Sequence, residues 1–302
     1  MMQPVDRTLL EKELSPERFV KKTNKGDNDI YIVNYHNAPN VLKEIGRLRE
    51  LSFSQAGGGT GNDIDLDDFD TSENCYEQLI VYDREDREIV SGYRFKDCST
   101  AISPSGEILL STKHYFNFSD KFIKEYLPYT IELGRSWVQP LYQAGGGSSR
   151  KGIFALDNIW DGLGSIIINY PHIKYFFGKV TMYSSYNKQA RNALLYFMNS
   201  YFPDLENLVT PIHPIEINTD LSEIKRLIRD KNFDEGLKSL YQYLKSHGET
   251  VPPLINTYMK ISDTMKSFGT ALNPDFGGVE ETAILVTIDD IYPEKKERHI
   301  SS

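Results

Sequence analysis

The sequence predicts a mixed α+β protein with one main domain and helical additions, and three observations carry that prediction. The chain has 302 residues, of which 39% are hydrophobic and 12% aromatic, enough to bury a full core. Two strand-like segments, QLIVYD and EIVSGYRF, are joined by the polar turn REDR, which indicates an antiparallel hairpin. Further along, a strand, a glycine-rich loop and a helix follow one another. Antiparallel strands combined with helices in this irregular order are typical of the α+β class.

The first half of the chain alternates helix and strand patterns. Ile30–Tyr35 alternates like a strand, and Ala38–Phe53 has apolar residues at helical spacing. The loop QAGGG and the acidic stretch NDIDLDDFD follow, before the two strands Gln78–Asp83 and Glu88–Phe95. The next predicted strand is Pro128–Val138, with the sequence PYTIELGRSWV.

The second half is predicted to be mostly helical. A helix is expected from about Lys151 to Asn169, followed by a strand over Phe177–Tyr183 and a helix that Asn187 would cap. From Thr219 to about Phe268 the pattern is helical, and a last strand is expected over Glu281–Asp289.

Composition restricts the class of function. Lys and Arg number 34 against 43 Asp and Glu, a net charge of −9, which argues against a nucleic-acid partner. The two cysteines, Cys75 and Cys98, show no metal-ligand spacing, so we expect a reduced, cytoplasmic protein without a metal. The charged N-terminus does not read as a signal peptide. Because the longest apolar run is far shorter than the ~20 residues of a membrane span, only a peripheral contact with the inner membrane is left open.

The pentapeptide QAGGG occurs twice, at Gln55–Gly59 and Gln143–Gly147. The second copy follows a predicted strand and precedes a helix, the arrangement that cradles phosphates, and Arg150 and Lys151 add positive charge there. A plain flexible connection is the alternative. No strand precedes the first copy and acidic residues follow it, so we do not expect that copy to cradle a phosphate.

Several segments together resemble one family. The strand segment ELGRSWV with a glycine-containing loop after it, RELSF at residues 49–53, DDFD at 67–70 and SGYRF at 91–95 are similar to GNAT-fold acyltransferases that use acyl carrier protein (ACP). These include autoinducer synthases and the ornithine and glycine N-acyltransferases of aminolipid synthesis, often labelled hemolysin-like. The segments VPPLINTYMKIS and NPDFGGVEETAILV resemble the lipid-forming branch, and the similarity spans about residues 30–289.

The resemblance implies a GNAT-like fold with a mixed, mostly antiparallel central sheet flanked by helices. Residues 1–29 would form an N-terminal arm, 30–215 the acyltransferase core, and 216–302 a helical extension packed on the core and ending in a strand.

The resemblance also implies the reaction, in which a (3-hydroxy)fatty acyl chain moves from ACP, or from CoA, to the amine of glycine or ornithine. Glu132 would be the general base, directly or through water, and Arg94 and Arg135 would orient it. Tyr183 or Tyr186 would protonate the leaving thiolate. The first QAGGG lies where the family places a mobile segment over the acceptor and the acyl chain, so it would be the hinge of a lid. Four further residues are expected to bind the acceptor, namely Arg49, Phe53, Asp67 and Asp70.

The donor site is expected around the second glycine loop. Backbone N–H groups of Trp137 and Val138 would polarise the thioester carbonyl. The phosphopantetheine arm would contact Gly145, Gly146, Gly147, Ser148, Arg150 and Lys151. ACP is acidic, so its docking patch is expected at Arg150, Lys151, Lys188 and Arg191.

Four alternatives remain open at this stage. Asp63, Asp65 and Asp67 have the spacing that begins a calcium loop, although the later ligand positions do not fit. The function could also be that of a CoA-dependent GNAT acetyltransferase, an autoinducer-synthase-like enzyme, or a non-catalytic acyl-binding module.

Overall fold

The computed structural model describes residues 2–143, 146–147 and 154–299. Its centre is an eight-stranded sheet with the order β1-β2-β3-β4-β6-β7-β10-β9, antiparallel at every pair except β6 with β7. The strands are β1 (Phe19–Lys22), β2 (Asp29–Val33), β3 (Glu77–Asp83), β4 (Glu88–Asp97), β6 (Thr130–Val138), β7 (Tyr175–Met182), β9 (Lys266–Asn273) and β10 (Val279–Thr287). Two short strands, β5 (Phe116–Phe118) and β8 (Val209–Pro211), pair separately. The predicted fold class is confirmed.

Helices cover both faces of this sheet. In chain order they are α1 (Arg7–Glu13), α2 (Pro39–Gln55), α3 (Asp68–Thr71), α4 (Ala155–Asn169), α5 (Lys188–Tyr201), α6 (Ser222–Ile228), α7 (Phe233–Ser246), α8 (Pro253–Met259) and α9 (Pro293–His299). The Asn187 side chain accepts hydrogen bonds from the N–H groups of Gln189 and Ala190, so the predicted N-cap of α5 is confirmed. In the part of the chain that the structure describes, no helix is both long and apolar enough to cross a bilayer.

The two faces of the sheet carry separate cores because side chains alternate along each strand. On β3, Leu79 and Val81 belong to the core under α4, α5, α7 and α8, whereas Ile80 and Tyr82 belong to the core under α1 and α2. We call the first side the α4 face and the second the α2 face. A third cluster, around Phe122 and Phe177, continues the core where β5 and β8 pack.

The strands β6 and β7 separate along their length. They pair only from Thr130 to Leu133, although β6 runs on to Val138. A bulge lies in the part of β6 that does not pair with β7. There, Arg135 and Ser136 stand opposite the single residue Tyr93 of β4. The result is a gap in the middle of the sheet, bordered by β6 on one side and β7 on the other.

Both ends of the chain contain more strand than the sequence predicted. Within the N-terminal arm, β1 is an edge strand of the sheet. The segment predicted to be helical to about residue 268 ends its last helix at Met259, and β9 then pairs with β10. The C-terminal extension therefore supplies two strands of the central sheet rather than one, because long-range pairing outweighs the local helical pattern of this segment.

Candidate active site

A cavity of about 570 Å³ occupies the gap between β6 and β7. It reaches both faces of the sheet. On the α2 face it is lined by Phe53, Arg135, Trp137, Lys179, Tyr183, Phe276 and Glu281, and on the α4 face by Tyr93, Leu133, Val138, Trp160, Leu163, Val180, Leu254 and Tyr258. The first wall holds charged groups, and the second is mainly apolar.

A buried ionic cluster lies behind the charged wall, and Arg49 is its centre. Arg49 Nε lies 3.0 Å from Asp65 Oδ2, and Arg49 Nη1 lies 3.0 Å from Asp70 Oδ1; all three side chains are fully buried. Burial opposes ionisation of Asp65, but Arg49, Arg135 and Arg94 outweigh it and lower the pKa of Asp65. Because Asp65 is the counter-ion of Arg49 and Arg135, it is not available as the second ligand of the calcium loop considered above. Sequence analysis considered Asp65 only for that alternative.

Arg94 adds a third aspartate, Asp67, to this cluster. Its Nη1 lies 2.7 Å from Asp67 Oδ1 and 3.0 Å from Asp70 Oδ2. Asp67 and Asp70 also form a capping box at the start of α3, which fixes both carboxylates. Four of the predicted site residues, Arg49, Asp67, Asp70 and Arg94, are thus in contact with one another. A fifth predicted residue, Arg135, pairs with Asp65 of this cluster and also lines the cavity.

Arg135 connects the cluster to the cavity. Its backbone has a φ of +51°, which residues other than glycine rarely adopt. The guanidinium lies 4.3 Å over the Phe276 ring, which packs edge-on against Phe53. Arg135 Nε is 3.0 Å from Asp65 Oδ2, yet its N–H is not aligned with that oxygen and has no hydrogen-bond partner. A buried cation with an unused donor therefore faces the cavity.

Glu132 lies elsewhere. It is fully buried, and its carboxylate accepts hydrogen bonds from Tyr76 Oη (2.5 Å), Ser111 Oγ (2.9 Å) and the Thr112 N–H (3.1 Å). Burial and Glu132 raise the pKa of Tyr76 well above its ordinary value. Glu132 is not among the residues that line the cavity. Its position does not support direct action on a substrate there.

The sequence analysis missed a second carboxylate that does line the cavity. Glu281 on β10 accepts from Lys179 Nζ (2.5 Å), Thr181 Oγ1 (2.8 Å) and Asn273 Nδ2 (3.0 Å). Burial opposes its charge, but Lys179 outweighs burial and lowers the pKa of Glu281. Burial likewise lowers the pKa of Lys179. The signal available in the sequence was a glutamate inside the apolar strand ETAILV, which is costly unless the carboxylate is paired or used.

Tyr183 and the first glycine loop meet at the mouth of the cavity. Burial, followed by Glu281, raises the pKa of Tyr183, so its hydroxyl stays protonated. A Cβ atom on Gly58 would lie 3.1 Å from the Tyr183 ring and 3.3 Å from the Phe276 ring. The loop is anchored by Glu50, whose carboxylate accepts from the Thr60 and Gly61 N–H groups at 2.9 Å each. The first QAGGG therefore packs on cavity residues, and its role as a hinge stays a prediction.

The two predicted backbone donors point in opposite directions. The Gln139 N–H donates to the Val90 carbonyl on β4 at 2.8 Å. Because the N–H groups of successive strand residues alternate in direction, the Val138 N–H points into the gap and the Trp137 N–H toward β4. The Val138 carbonyl also faces away from β4, since it accepts from Gln143 Nε2 at 2.7 Å. Geometry favours Val138.

The predicted donor loop lies partly outside the described residues. This applies to Gly145, Ser148, Arg150 and Lys151. Gly146 is described, and a Cβ there would lie 2.4 Å from the Pro140 and Leu141 carbonyl oxygens, so the close turn requires glycine; at Gly147 there is open space. Lys188 is exposed at the start of α5, but Arg191 is buried and ion-paired with Glu280, and so is not available for docking.

Comparison with known proteins identifies the group to which this chain is similar. Residues 48–150 match the acetyltransferase (GNAT) domain family. A glycine N(alpha)-acyltransferase of Phocaeicola vulgatus is 48% identical over 100% of this chain and 93% of its own length. One of the same name from Bacteroides thetaiotaomicron is 49% identical over 100% of this chain and 90% of its own length.

Comparison with solved structures gives only weak similarities. The acyl-homoserine lactone synthase BjaI, with SAM and isopentyl-CoA, is 15% identical with a TM-score of 0.35, covering 55% of this chain and 72% of its own. TofI is 10% identical with a TM-score of 0.41, covering 90% of this chain and 98% of its own. Because two relatives are nearly half identical over the whole of this chain, the chain belongs to the family of the glycine N(alpha)-acyltransferases. It is an acyltransferase with a GNAT domain.

Proposed function

We propose that this enzyme joins a long acyl chain, delivered as a thioester, to the amino group of glycine. The observation that carries the proposal is the cavity through the sheet, charged on the α2 face and largely apolar on the α4 face. A small zwitterion suits the first wall and a hydrocarbon chain the second, so that donor and acceptor meet at the bulge of β6. An acetyl group would leave most of the apolar wall uncovered, which favours a long chain. The names of the two relatives supply glycine as the acceptor.

Glycine binding is assigned to the two charged groups at the cavity wall. The unused N–H of Arg135 suits the glycine carboxylate, because charge-assisted hydrogen bonds are the stronger kind. Glu281 suits the amino group. Arg49, Arg94, Asp65, Asp67 and Asp70 would act indirectly, by holding Arg135 in place, and Phe53 would do so through Phe276.

The reaction then needs one carbonyl contact and three proton transfers. The glycine ammonium group first loses a proton to solvent, because only the free amine has an electron pair for attack. The amine nitrogen then attacks the thioester carbonyl carbon, whose oxygen would accept from the Val138 N–H. Once bonded to that carbon, the nitrogen is far more acidic, so even the lowered pKa of Glu281 allows its carboxylate to take the proton. As the C–S bond breaks, Tyr183 would donate its proton to the thiolate.

The donor we propose is an acyl group on ACP, with a 3-hydroxyl on the chain, and acyl-CoA is the competing donor. ACP is acidic, and the exposed Lys188 together with Arg150 and Lys151 would meet it. The product, a fatty chain on a glycine carboxylate head, is an aminolipid. An amphiphile of this kind suits a protein with a peripheral membrane contact.

A coupled assay tests the function. Purified protein would be mixed with 3-hydroxypalmitoyl-ACP or 3-hydroxypalmitoyl-CoA and with glycine, ornithine or serine, and free thiol would be followed. We expect thiol release that requires glycine and is faster with ACP. Release that requires ornithine instead, or none with any pair, would contradict the proposal.

Two matched variants test the assignment of the base. Glu281→Gln should lower kcat/KM by about 100-fold, and it should also lower the melting temperature, because an amide NH₂ would face the three donors that now bind this carboxylate. Glu132→Gln should lower the melting temperature for the same reason, but it should keep kcat/KM near the wild-type value when the folded protein is assayed well below that temperature. An inactive but stably folded Glu132→Gln protein beside an active Glu281→Gln protein would return the role to Glu132.

A further inference from the structure

One polar group in the apolar part of the cavity has no partner. Tyr93 on β4 is only 3% exposed, and its hydroxyl makes no hydrogen bond within the described residues. Buried hydroxyls in folded proteins are nearly always hydrogen-bonded, so a fully buried orphan needs an explanation. Burial and then Tyr258 raise the pKa of Tyr93 well above its ordinary value, so the hydroxyl keeps its proton.

The Tyr93 ring is held in place and lines the cavity. A Cβ atom on Gly162 of α4 would lie 3.1 Å from the Tyr93 hydroxyl and 2.5 Å from Leu79, so the helix fits over this ring only because residue 162 is glycine. The hydroxyl cannot easily swing to a partner elsewhere, because the interior is close-packed.

Tyr258 brings a second hydroxyl to the same wall. It belongs to α8 in the C-terminal extension, lines the cavity, and packs edge-on against Trp160 with 5.5 Å between ring centres. Burial raises the pKa of Tyr258 to about 12, so this hydroxyl also stays protonated. Tyr93 and Tyr258 therefore line the same wall of the cavity and belong to the same core.

We propose that Tyr93, with Tyr258 beside it, hydrogen-bonds an oxygen substituent on the acyl chain and so selects donors that carry one. The inference rests on the proposed function and deepens it by naming the residues that distinguish acyl chains. Tyr93 stands opposite the bulge at Arg135 and Ser136, where the thioester is proposed to bind. The substituent is therefore close to the thioester end of the chain, as a 3-hydroxyl or a 3-oxo group would be.

We expect the enzyme to discriminate strongly between oxygenated and unsubstituted acyl chains, because an unsubstituted chain would leave the Tyr93 hydroxyl without a hydrogen bond. A site built to bond a substrate hydroxyl leaves its own buried group unpaired when the hydroxyl is missing, whereas an apolar pocket distinguishes chains only weakly. A hydroxyl substituent can both donate to and accept from the two phenols, while an oxo group can only accept.

The experiment compares three donors of one length on ACP: palmitoyl, 3-hydroxypalmitoyl and 3-oxopalmitoyl, each with glycine in excess. For the wild type we expect kcat/KM to be at least about tenfold higher with an oxygen-bearing chain, and the two oxygenated donors show which substituent is used. Tyr93→Phe should remove that preference by slowing the oxygenated donor, with palmitoyl changed by less than about threefold. An equal loss with all donors, or an unchanged preference, would overturn the inference.

Tyr142→Phe is the matched control. Tyr142 lines the same cavity, but its hydroxyl donates to Asp86 Oδ2 at 2.8 Å, so it is already used within the protein. We expect this variant to keep the wild-type ratio between donors, whatever its effect on stability. A ratio lost in both variants would indicate a general disturbance of the wall and contradict the specific role of Tyr93.

A binding measurement keeps the test independent of the proposed function. If the wild type releases no thiol with glycine, the affinities of 3-hydroxypalmitoyl-CoA and palmitoyl-CoA are compared by calorimetry in the wild type and in Tyr93→Phe. Tighter binding of the hydroxylated chain that disappears in the variant would support the inference while the reaction assignment fails. Equal affinities in the wild type would refute it.

Discussion

At the scale of residues, the site depends on six ions, four of them buried, that neutralise one another. Three arginines and three aspartates share the cluster: Arg49, Arg94, Arg135, Asp65, Asp67 and Asp70. Removing charges from water is expensive, and such a group is stable only when every ion has a partner. The benefit is positional, because a guanidinium held by two carboxylates has little freedom. Arg135 thereby presents one fixed donor to the cavity.

One buried aspartate of this cluster, Asp70, makes stability depend on pH. Burial opposes the charge of Asp70, but Arg49 and Arg94 outweigh burial and hold the pKa of Asp70 well below its unfolded value of 3.8. A carboxylate of this kind stabilises the fold above the unfolded pKa, and that contribution is lost as pH falls through the lower folded pKa. We expect the wild-type free energy of unfolding to fall steeply below about pH 4.

Asp70→Asn tests the origin of that dependence. At pH 7 the variant should be less stable by about 3 kcal/mol, since the buried Arg49 and Arg94 each lose one of their two counter-ions, and its stability should fall less below pH 4. Asp68→Asn is the control, because Asp68 lies exposed on the same short helix and its loss should change stability by less than about 0.5 kcal/mol. Urea unfolding at pH 7 and pH 3.5 measures both. Parallel pH profiles for the wild type and Asp70→Asn would contradict the assignment.

At the scale of elements, the first glycine loop has a different requirement at each of its three glycines. Gly57 and Gly59 have φ values of +92° and +93°, which glycine adopts without strain. Gly58 has ordinary backbone angles but no room for a side chain against Tyr183 and Phe276. The three glycines thus shape a loop that packs against two residues of the cavity wall.

Two substitutions separate these requirements. Gly58→Val should push Tyr183 and Phe276 away from their positions and lower kcat/KM by at least about tenfold, because displacements below 1 Å already slow catalysis. Gly57→Ala meets open space, so its cost of about 1 kcal/mol is backbone strain and should appear in stability more than in rate. Thermal unfolding and thiol release would be measured for both. Equal activity of Gly58→Val and the wild type would show that this contact does not matter for the reaction.

At the scale of the whole molecule, the sequence predicted what is local and missed what is distant. The strand Thr130–Val138 and the cap at Asn187 follow from short patterns, and both were predicted. The pair Lys179–Glu281 joins residues 102 positions apart, and the β9–β10 hairpin exists because β10 pairs with β7. Patterns of residue spacing within one segment cannot predict contacts between segments so far apart in the sequence. The resemblance brought Glu132 into the predicted site, but only its three-dimensional neighbours reveal that it faces away from the cavity.

The same long-range pairing decides whether the predicted core, residues 30–215, can exist alone. A chain ending at residue 215 would lose β9 and β10, expose the edge of β7, and remove Glu281 and Tyr258 from the cavity. An uncovered apolar edge strand aggregates, so we expect this truncation to be insoluble or to lack a cooperative unfolding transition. A chain ending at Tyr292 keeps the whole sheet and loses only α9, and it should stay folded. Circular dichroism during heating compares the two. A soluble, cooperatively unfolding chain of residues 1–215 would show that the C-terminal extension is a separable addition rather than part of the acyltransferase fold.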